Sequence, residues 1–454
     1  MEPSALRILS SSSATTGSTG AAAAKTSRGN ASGTRSSPAG RRELLPASDV
    51  PLLYFGFAHI CLASALAVLV VRPDLPGGFF HHPRMIAVVH LVTLGWISGS
   101  ILGAFYIVGP LALRLPLRPG WRDRAAFVSF AAGVIGMVAH FWIGEYSGMA
   151  WSAVLVAAAV LHVASRAWLG LPRAPVPWPV KLHVTLAFAN MILASAFGML
   201  IGLNRIFGWL PWSPMAAAFA HAHLAAVGWA VMMVVGLSYR LIPMIVPAEM
   251  PRGRSLAASA ILLEAGTLGL AVALVTRPGW APVAALVVVA GIASFVNQVR
   301  RIVRRRLPPP AALPRPDWAT WQTHIAFVWL LIAASTGICL TLPVSPALTV
   351  GLGWIYGTAG LVGFLAQIVV GIQGRLLPLY GWYRMMERGN MQPPARSAHT
   401  LASPRLAKAI LIAWTSGVPL LIAGLTWEVN GVIALGSLLL LVGVAANSVQ
   451  MVRI

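Results

Sequence analysis

Three histidines carry the strongest chemical signal in this chain: His90, His221 and His223. Each falls about two turns into a long apolar run, where an ionisable side chain is costly and defaults to a functional assignment. In the triplet His221-Ala222-His223 the two imidazoles diverge by about 200° on a helix, so one segment addresses two neighbouring grooves. Two imidazoles meeting at one depth in an apolar slot suit the axial coordination of haem iron, with the metal six-coordinate and fitted to electron transfer.

The other polar groups sort differently. His81 and His82 precede the second apolar run and His399 lies in a basic loop, so all three read as solvated. His59, His183 and His324 recur near the start of the first, fifth and ninth runs. They read as interfacial caps or relics of repetition before a second metal level. His140 and His162, near run ends, read as hydrogen-bonded core residues. Glu264 and Gln367 sit inside apolar runs and would be coupling or substrate groups in a transporter. The bland alternative for Glu264 is a single buried carboxyl hydrogen-bonded to a neighbouring helix. Glu145, at a run end, has its role left open between a proton and a metal site. Cys61 and Cys339 are both inside apolar runs, where packing rather than a disulfide is the natural role.

The elements that must position these groups follow from composition. The chain is 57% hydrophobic and 10% charged, with a mean hydropathy of +0.77, against roughly a quarter charged in soluble domains. Twelve runs are long enough to span a bilayer, about 20 residues each. They cover residues 50–71, 85–109, 125–144, 149–167, 182–203, 214–239, 255–275, 280–299, 319–342, 347–374, 408–425 and 430–450. The formal charge of +22 could suggest a nucleic-acid partner. Its distribution argues otherwise: of 33 basic residues only Arg72, Arg84, Arg205 and Arg277 fall on the side opposite the first run's N-terminus. That bias predicts a bacterial-type cytoplasmic membrane protein with both termini cytoplasmic, and no nucleic acid. Residues 1–48, rich in Ser, Ala, Thr and Gly with scattered Arg, predict a disordered basic cytoplasmic tail, with no cleavable signal peptide ahead of the first run near Pro51.

The second, sixth and tenth runs share a pattern. Counting from His90, Gly95, Gly103, Tyr106 and Pro110 lie at +5, +13, +16 and +20; counting from His223, Gly228, Gly236, Tyr239 and Pro243 occupy the same offsets. Counting from Thr358 they are Gly363, Gly371, Gly374 and Pro378. At about 100° per residue the four offsets form one narrow stripe, a close-packing or cofactor-clearance face. Three copies four helices apart predict an all-α fold of three pseudo-threefold four-helix units, 49–175, 176–305 and 306–454. Symmetry then pairs His90 with His221 in one groove. In the next, His223 faces Tyr356, which holds the position equivalent to His221. This second pair is a candidate for a further haem or metal.

With the repeat and the H-x-H in hand, the chain resembles subunit I of the haem-copper oxidase and nitric oxide reductase superfamily. The segment HAHLAAVGWAVMMVVGLSYRLIP, from His221, looks like that family's H-x-H helix, and HLVTLGWISGSILGAFYIVGP, from His90, looks like another central helix. The resemblance implies twelve helices in three arcs, haem ligation by the histidines of these segments, a protein or quinol electron donor, and further membrane subunits. The H-x-H lies on the sixth run here and not the tenth. There is no H-P-E-V-Y-like segment and no His-His pair inside a run. These departures leave oxygen reduction at a haem-copper centre without its copper ligands. The chain is also similar to the NnrS family of nitric-oxide-response membrane proteins, whose H-x-H-bearing segments bind haem.

The expected function is therefore a haem-binding membrane protein, of b type because no C-x-x-C-H is present, acting in respiratory electron transfer or in handling oxygen or nitric oxide. If it is an enzyme, it is an oxidoreductase of that superfamily's type. A secondary transporter is the alternative from another class, although transporters usually carry twofold repeats. A non-catalytic oxidase-like paralogue is the third reading, in keeping with Thr358 where two histidines stand in the other copies.

Overall fold

The computed structural model describes residues 49–77, 81–308, 313, 315–389 and 392–454; the predicted disordered tail, 1–48, lies outside the described residues. Among the described residues, twelve helices are long and apolar enough to cross a membrane. They are α1 Val50–Val71, α2 Pro83–Ala112, α3 Trp121–Ile143, α4 Tyr146–Arg173, α5 Trp178–Phe207, α6 Pro214–Ile245, α7 Leu256–Thr276, α8 Pro278–Arg304, α9 Trp318–Cys339, α10 Pro346–Arg388, α11 Pro404–Thr426 and α12 Asn430–Arg453. This all-α, multi-pass architecture is the one the apolar runs predict. In a bilayer only helices and closed barrels satisfy every backbone N–H and C=O internally.

Proline and short polar residues set the helix starts. Pro51, Pro83, Pro179, Pro214, Pro346 and Pro404 occupy first-turn positions, where their missing N–H costs nothing. Asp317 and Ser345 cap α9 and α10 by accepting from Thr320 N and Leu348 N. Glu145 caps α4, its carboxylate accepting from Ser147 N at 2.8 Å and Gly148 N at 2.6 Å. That cap accounts for Glu145 without a metal or proton role.

The helices form two shells. In the most apolar stretches of α2, α6 and α10, 67%, 56% and 61% of residues are buried, against 28–50% in the other nine, so these three form the interior. Around them the hairpins α3/α4, α7/α8 and α11/α12 pack tightly, and α12 returns against α1 to close the ring. Glycines let the hairpin backbones approach: a Cβ on Gly133 would lie 2.8 Å from Ser152 O, on Gly266 2.6 Å from Val288 N, and on Gly424 2.6 Å from Ile433 N.

The glycine stripe of the central helices is a packing face. A methyl group on Gly95 would collide with Cys61 of α1, on Gly228 with Asn190 of α5, and on Gly363 with Trp329 of α9. One level further along, Gly103 meets Tyr54, Gly236 meets His183 and Gly371 meets Thr323. Each central helix is thus pressed against the first helix of its own unit. The same contacts fix the register of those first helices. Gly103 faces Pro51 O as Gly371 faces Ala319 O, which makes Tyr54, His183 and Gln322 equivalent. His59, His183 and His324 therefore do not share a register, and they form no second metal level.

Substitution separates packing glycines from free ones. Overpacking costs about 1–3 kcal/mol, so Gly236→Ala, placed against the His183 Cβ, is expected to lower the thermal midpoint in detergent. Gly56→Ala, with open space around it, is expected to leave the midpoint unchanged. Equal midpoints for the two variants would contradict the packing role.

Candidate functional site

Each central helix is interrupted by eight π-helical residues that begin one position after the repeat origin: Leu91–Ser98 in α2, Leu224–Val231 in α6 and Ala359–Ala366 in α10. Such segments are rare and concentrate at functional sites. Here three stand at identical offsets. They meet one another, whereas the stretches preceding them, Pro83–His90, Pro214–His223 and Pro346–Thr358, pack outward against α3, α7 and α11.

Indole hydrogen bonds tie the π segments into a girdle. Trp229 Nε1 donates to Ser98 Oγ at 3.0 Å, and Trp96 Nε1 donates to Ala366 O at 3.3 Å. Both rings come from offset +6 and both acceptors lie at +8 of another unit, so the bonds follow one rotation about the pseudo-threefold axis. The third copy has Phe364 at +6, which has no N–H to give. All three rings are essentially inaccessible. The Gly-Trp, Gly-Trp and Gly-Phe pairs at +5 and +6 were the available sequence signal for this girdle, but the change of helical pitch has no such signature.

Accessibility switches at the girdle. From +5 onward the central helices are nearly all buried, whereas His90, Leu91, Thr93, Leu94, His221, His223, Ala225 to Val227, Tyr356 and Gly360 to Val362 stay partly accessible. His90, His221, His223 and Tyr356 are nonetheless densely surrounded by protein. These side chains are deep in the protein and keep an accessible face on this side of the girdle.

In the groove between α2 and α6, the His90 and His221 rings face each other with centroids 6.4 Å apart and planes 20° from parallel. His90 Nδ1 donates to Ile86 O at 2.8 Å, and His221 Nδ1 donates to Ala194 O at 3.1 Å. Gly198 makes room for the latter ring, since a Cβ there would lie 2.7 Å from His221 Cε1. Phe141 packs on His90 with centroids 4.9 Å apart.

These residues fit a haem iron. With each Nδ1–H committed to a carbonyl, each Nε2 carries its lone pair, the arrangement found in metal-ligating histidines. His90 and His221 would be the residues to hold such a group, and their centroid separation is on the scale that two imidazoles sharing one metal would need. Among the described residues no three His, Cys, Asp or Glu converge as a metal site. A group that supplies its own equatorial ligands suits such a pair.

In the groove between α6 and α10, His223 and Tyr356 adopt the related arrangement, with centroids 5.9 Å apart and planes 22° from parallel. There the Tyr356 hydroxyl donates directly to His223 Nε2 at 2.9 Å, while His223 Nδ1 donates to Phe219 O at 2.7 Å. The two candidates for a further haem or metal are therefore brought together in direct hydrogen-bond contact.

The remaining polar groups are structural. Asp123 gathers Tyr106, Arg166, His162 and the Gly120 N–H around one carboxylate. His140 donates to Gly136 O at 2.6 Å, and His324 lies exposed on α9. Glu264 accepts from Asn190 Nδ2 at 2.6 Å, the bland arrangement considered for it. Gln367, also a transporter candidate, is fully buried with neither amide atom bonded. Cys61 is buried and Cys339 exposed, both free.

Ser98→Ala would leave the Trp229 indole N–H buried without its acceptor. Unmet buried donors cost about 1–3 kcal/mol, so the variant is expected to unfold at a lower temperature in detergent. An unchanged midpoint would mean that this bond does not hold the girdle. Compared with known proteins, the chain matches no protein-family model and no curated sequence.

Proposed function

We propose that this chain is a b-type haem protein of the membrane, built on a scaffold like that of oxidase subunit I, and that it acts in respiratory electron transfer or in the handling of oxygen or nitric oxide. The observation that carries the reading is the His90–His221 pair: two nearly parallel imidazoles with centroids 6.4 Å apart, each tethered through Nδ1 to a backbone carbonyl. A haem bound there supplies a one-electron couple.

The chain's part is positional. The carbonyls of Ile86 and Ala194 fix the tautomer and ring orientation of the two histidines and raise their basicity. If both His90 and His221 held the haem, it would supply electron transfer rather than ligand capture. The threefold repetition of the central helices favours this reading over a transporter, whose repeats are usually twofold.

The basic face is proposed to be cytoplasmic, as in a bacterial inner membrane. Alkaline phosphatase fused after Glu428, between α11 and α12, is expected to be active, and the same fusion after Arg388 inactive. The opposite result would invert the orientation.

Reduced-minus-oxidised spectra of the purified protein, with haem quantification, test the cofactor. A low-spin b-type spectrum is expected, and His90→Ala and His221→Ala should each reduce bound haem by more than about tenfold, the scale of losing a metal ligand. His324→Ala should retain the full spectrum. A colourless wild-type protein from haem-sufficient cells would overturn the proposal.

A further inference from the structure

Immediately beyond the girdle, on the side toward the basic face, the three central helices line a partly open apolar pocket of about 60 Å³. Its walls come from matching offsets of the three central helices. Ser100, Met233 and Ile368 lie at +10, Ile101, Val234 and Val369 at +11, Ala104, Leu237 and Ile372 at +14, and Val108, Leu241 and Leu376 at +18, with Phe55 of α1 completing the lining. Ser238 and Gln373, both at +15, are the remaining wall residues. The cavity is thus a product of the repeat and not a local packing defect.

The lining polar groups are mostly engaged elsewhere. Gln373 Nε2 donates to Ser100 Oγ at 3.4 Å, and Gln373 Oε1 accepts from Asn447 Nδ2 at 2.7 Å. Asn447 Nδ2 also donates to His59 Nε2 at 3.1 Å, and His59 Nδ1 closes the chain by donating to Phe55 O at 2.7 Å. This network, from α12 and α1 to the cavity wall, consumes the amide groups that would otherwise recruit water. A buried water needs two to four polar partners, and apolar cavities that lack them stay dry and take up small apolar ligands.

We infer that the axial cavity is a binding site for a small apolar molecule of one to three heavy atoms, of the dissolved-gas class to which dioxygen and nitric oxide belong. The volume exceeds the roughly 10–15 Å³ that a single water-sized molecule requires on the same measure. The apolar wall selects against ions and strongly hydrated solutes, since each would lose its hydration with no compensating partners. The Ser238 hydroxyl offers one weak polar contact. The position is also consequential: the cavity and the His90–His221 groove lie on opposite sides of the Trp96, Trp229 and Phe364 girdle. Occupancy rests on the cavity alone, whereas the assignment to respiratory or signalling gases rests on the function proposed above.

Xenon serves as the probe because its binding requires no haem. Crystals of the full chain pressurised with xenon are expected to show an anomalous peak on the axis between Ile101, Leu237 and Ile372. Ala104→Phe, which projects a ring into the space, is expected to abolish the peak while leaving the haem spectrum unchanged. Ser238→Ala, which removes only the hydroxyl oxygen, is expected to retain or strengthen it. Ordered water with no xenon at that position in the wild-type chain, or a xenon peak that persists at full height in a folded Ala104→Phe variant, would overturn the assignment. A colourless protein that still binds xenon on the axis would remove the haem reading alone, and a haem-bearing protein without axial xenon would remove this inference alone.

Discussion

The meeting of three π-helical segments on one axis is the constraint from which the rest of the architecture follows. A bilayer interior tolerates no unpaired backbone group exposed to lipid, so a helix there cannot simply break to change direction. Widening to i→i+5 hydrogen bonds keeps the main chain paired while altering the pitch. Through Leu91–Ser98, Leu224–Val231 and Ala359–Ala366, each central helix presents one face to its partners on the basic side and a differently directed face on the other. The three helices converge below the girdle and pack outward above it. Convergence produces the buried half with its axial cavity; outward packing produces the space into which the histidines project.

The girdle is held by directional contacts rather than by apolar area alone. Without a hydrophobic driving force between helices in lipid, association depends on close packing and interhelical hydrogen bonds. Both are present here in repeated form. The stripe at +5 and +13 lets each central helix lie against α1, α5 or α9, and the indoles of Trp96 and Trp229 reach across to the neighbouring unit. The third unit departs from the pattern. Phe364 replaces the indole, Gly374 replaces the tyrosine at +16, and Gln322 replaces Tyr54 and His183. Tyr106 and Tyr239 donate to Asp123 and Ser259, but Gln322 has neither amide atom bonded, and Gln367 shares that condition. The unmet polar atoms thus gather where the repeat has diverged.

The sequence carried much of this architecture because composition and periodicity act over whole elements. The span Val50–Val71 and the start of α6 at Pro214 coincide with the expected limits, since apolar length is set by the bilayer and first-turn proline marks an N-terminus. The groove partners His90 with His221 and His223 with Tyr356 were legible for another reason: equivalent positions about an axis must address successive grooves. What was hidden was geometry that no residue type encodes. The π segments contain ordinary Leu, Val, Ala and Gly, and a 100° wheel drawn through them misplaces everything beyond. The direct contact of Tyr356 with His223 was equally unreadable, because about an ångström separates a hydrogen bond from a bridged ion. His59, His183 and His324, read as caps or relics of repetition before a second metal level, do not share a register, which only the glycine contacts with the central helices could fix.

Symmetry also explains why one groove differs chemically from the other two. Each interunit groove takes the offset-zero residue of one central helix and the residue two positions earlier on the next. The first groove receives His90 and His221, the second His223 and Tyr356, and the third Thr358 and Val88. The two occupied pairs have nearly the same ring geometry, 6.4 Å and 20° against 5.9 Å and 22°, so the backbone treats them alike. Their difference is entirely in the side chains. A second imidazole leaves each ring with its Nδ1 on a carbonyl, a phenol fills its neighbour's lone pair with its own proton, and Thr358 and Val88 are simply buried. A scaffold that repeats three times has therefore kept a pair of free nitrogen ligands at one of its three equivalent positions. That asymmetry, imposed on a backbone that does not require it, is the strongest argument that the His90–His221 groove serves chemistry rather than packing.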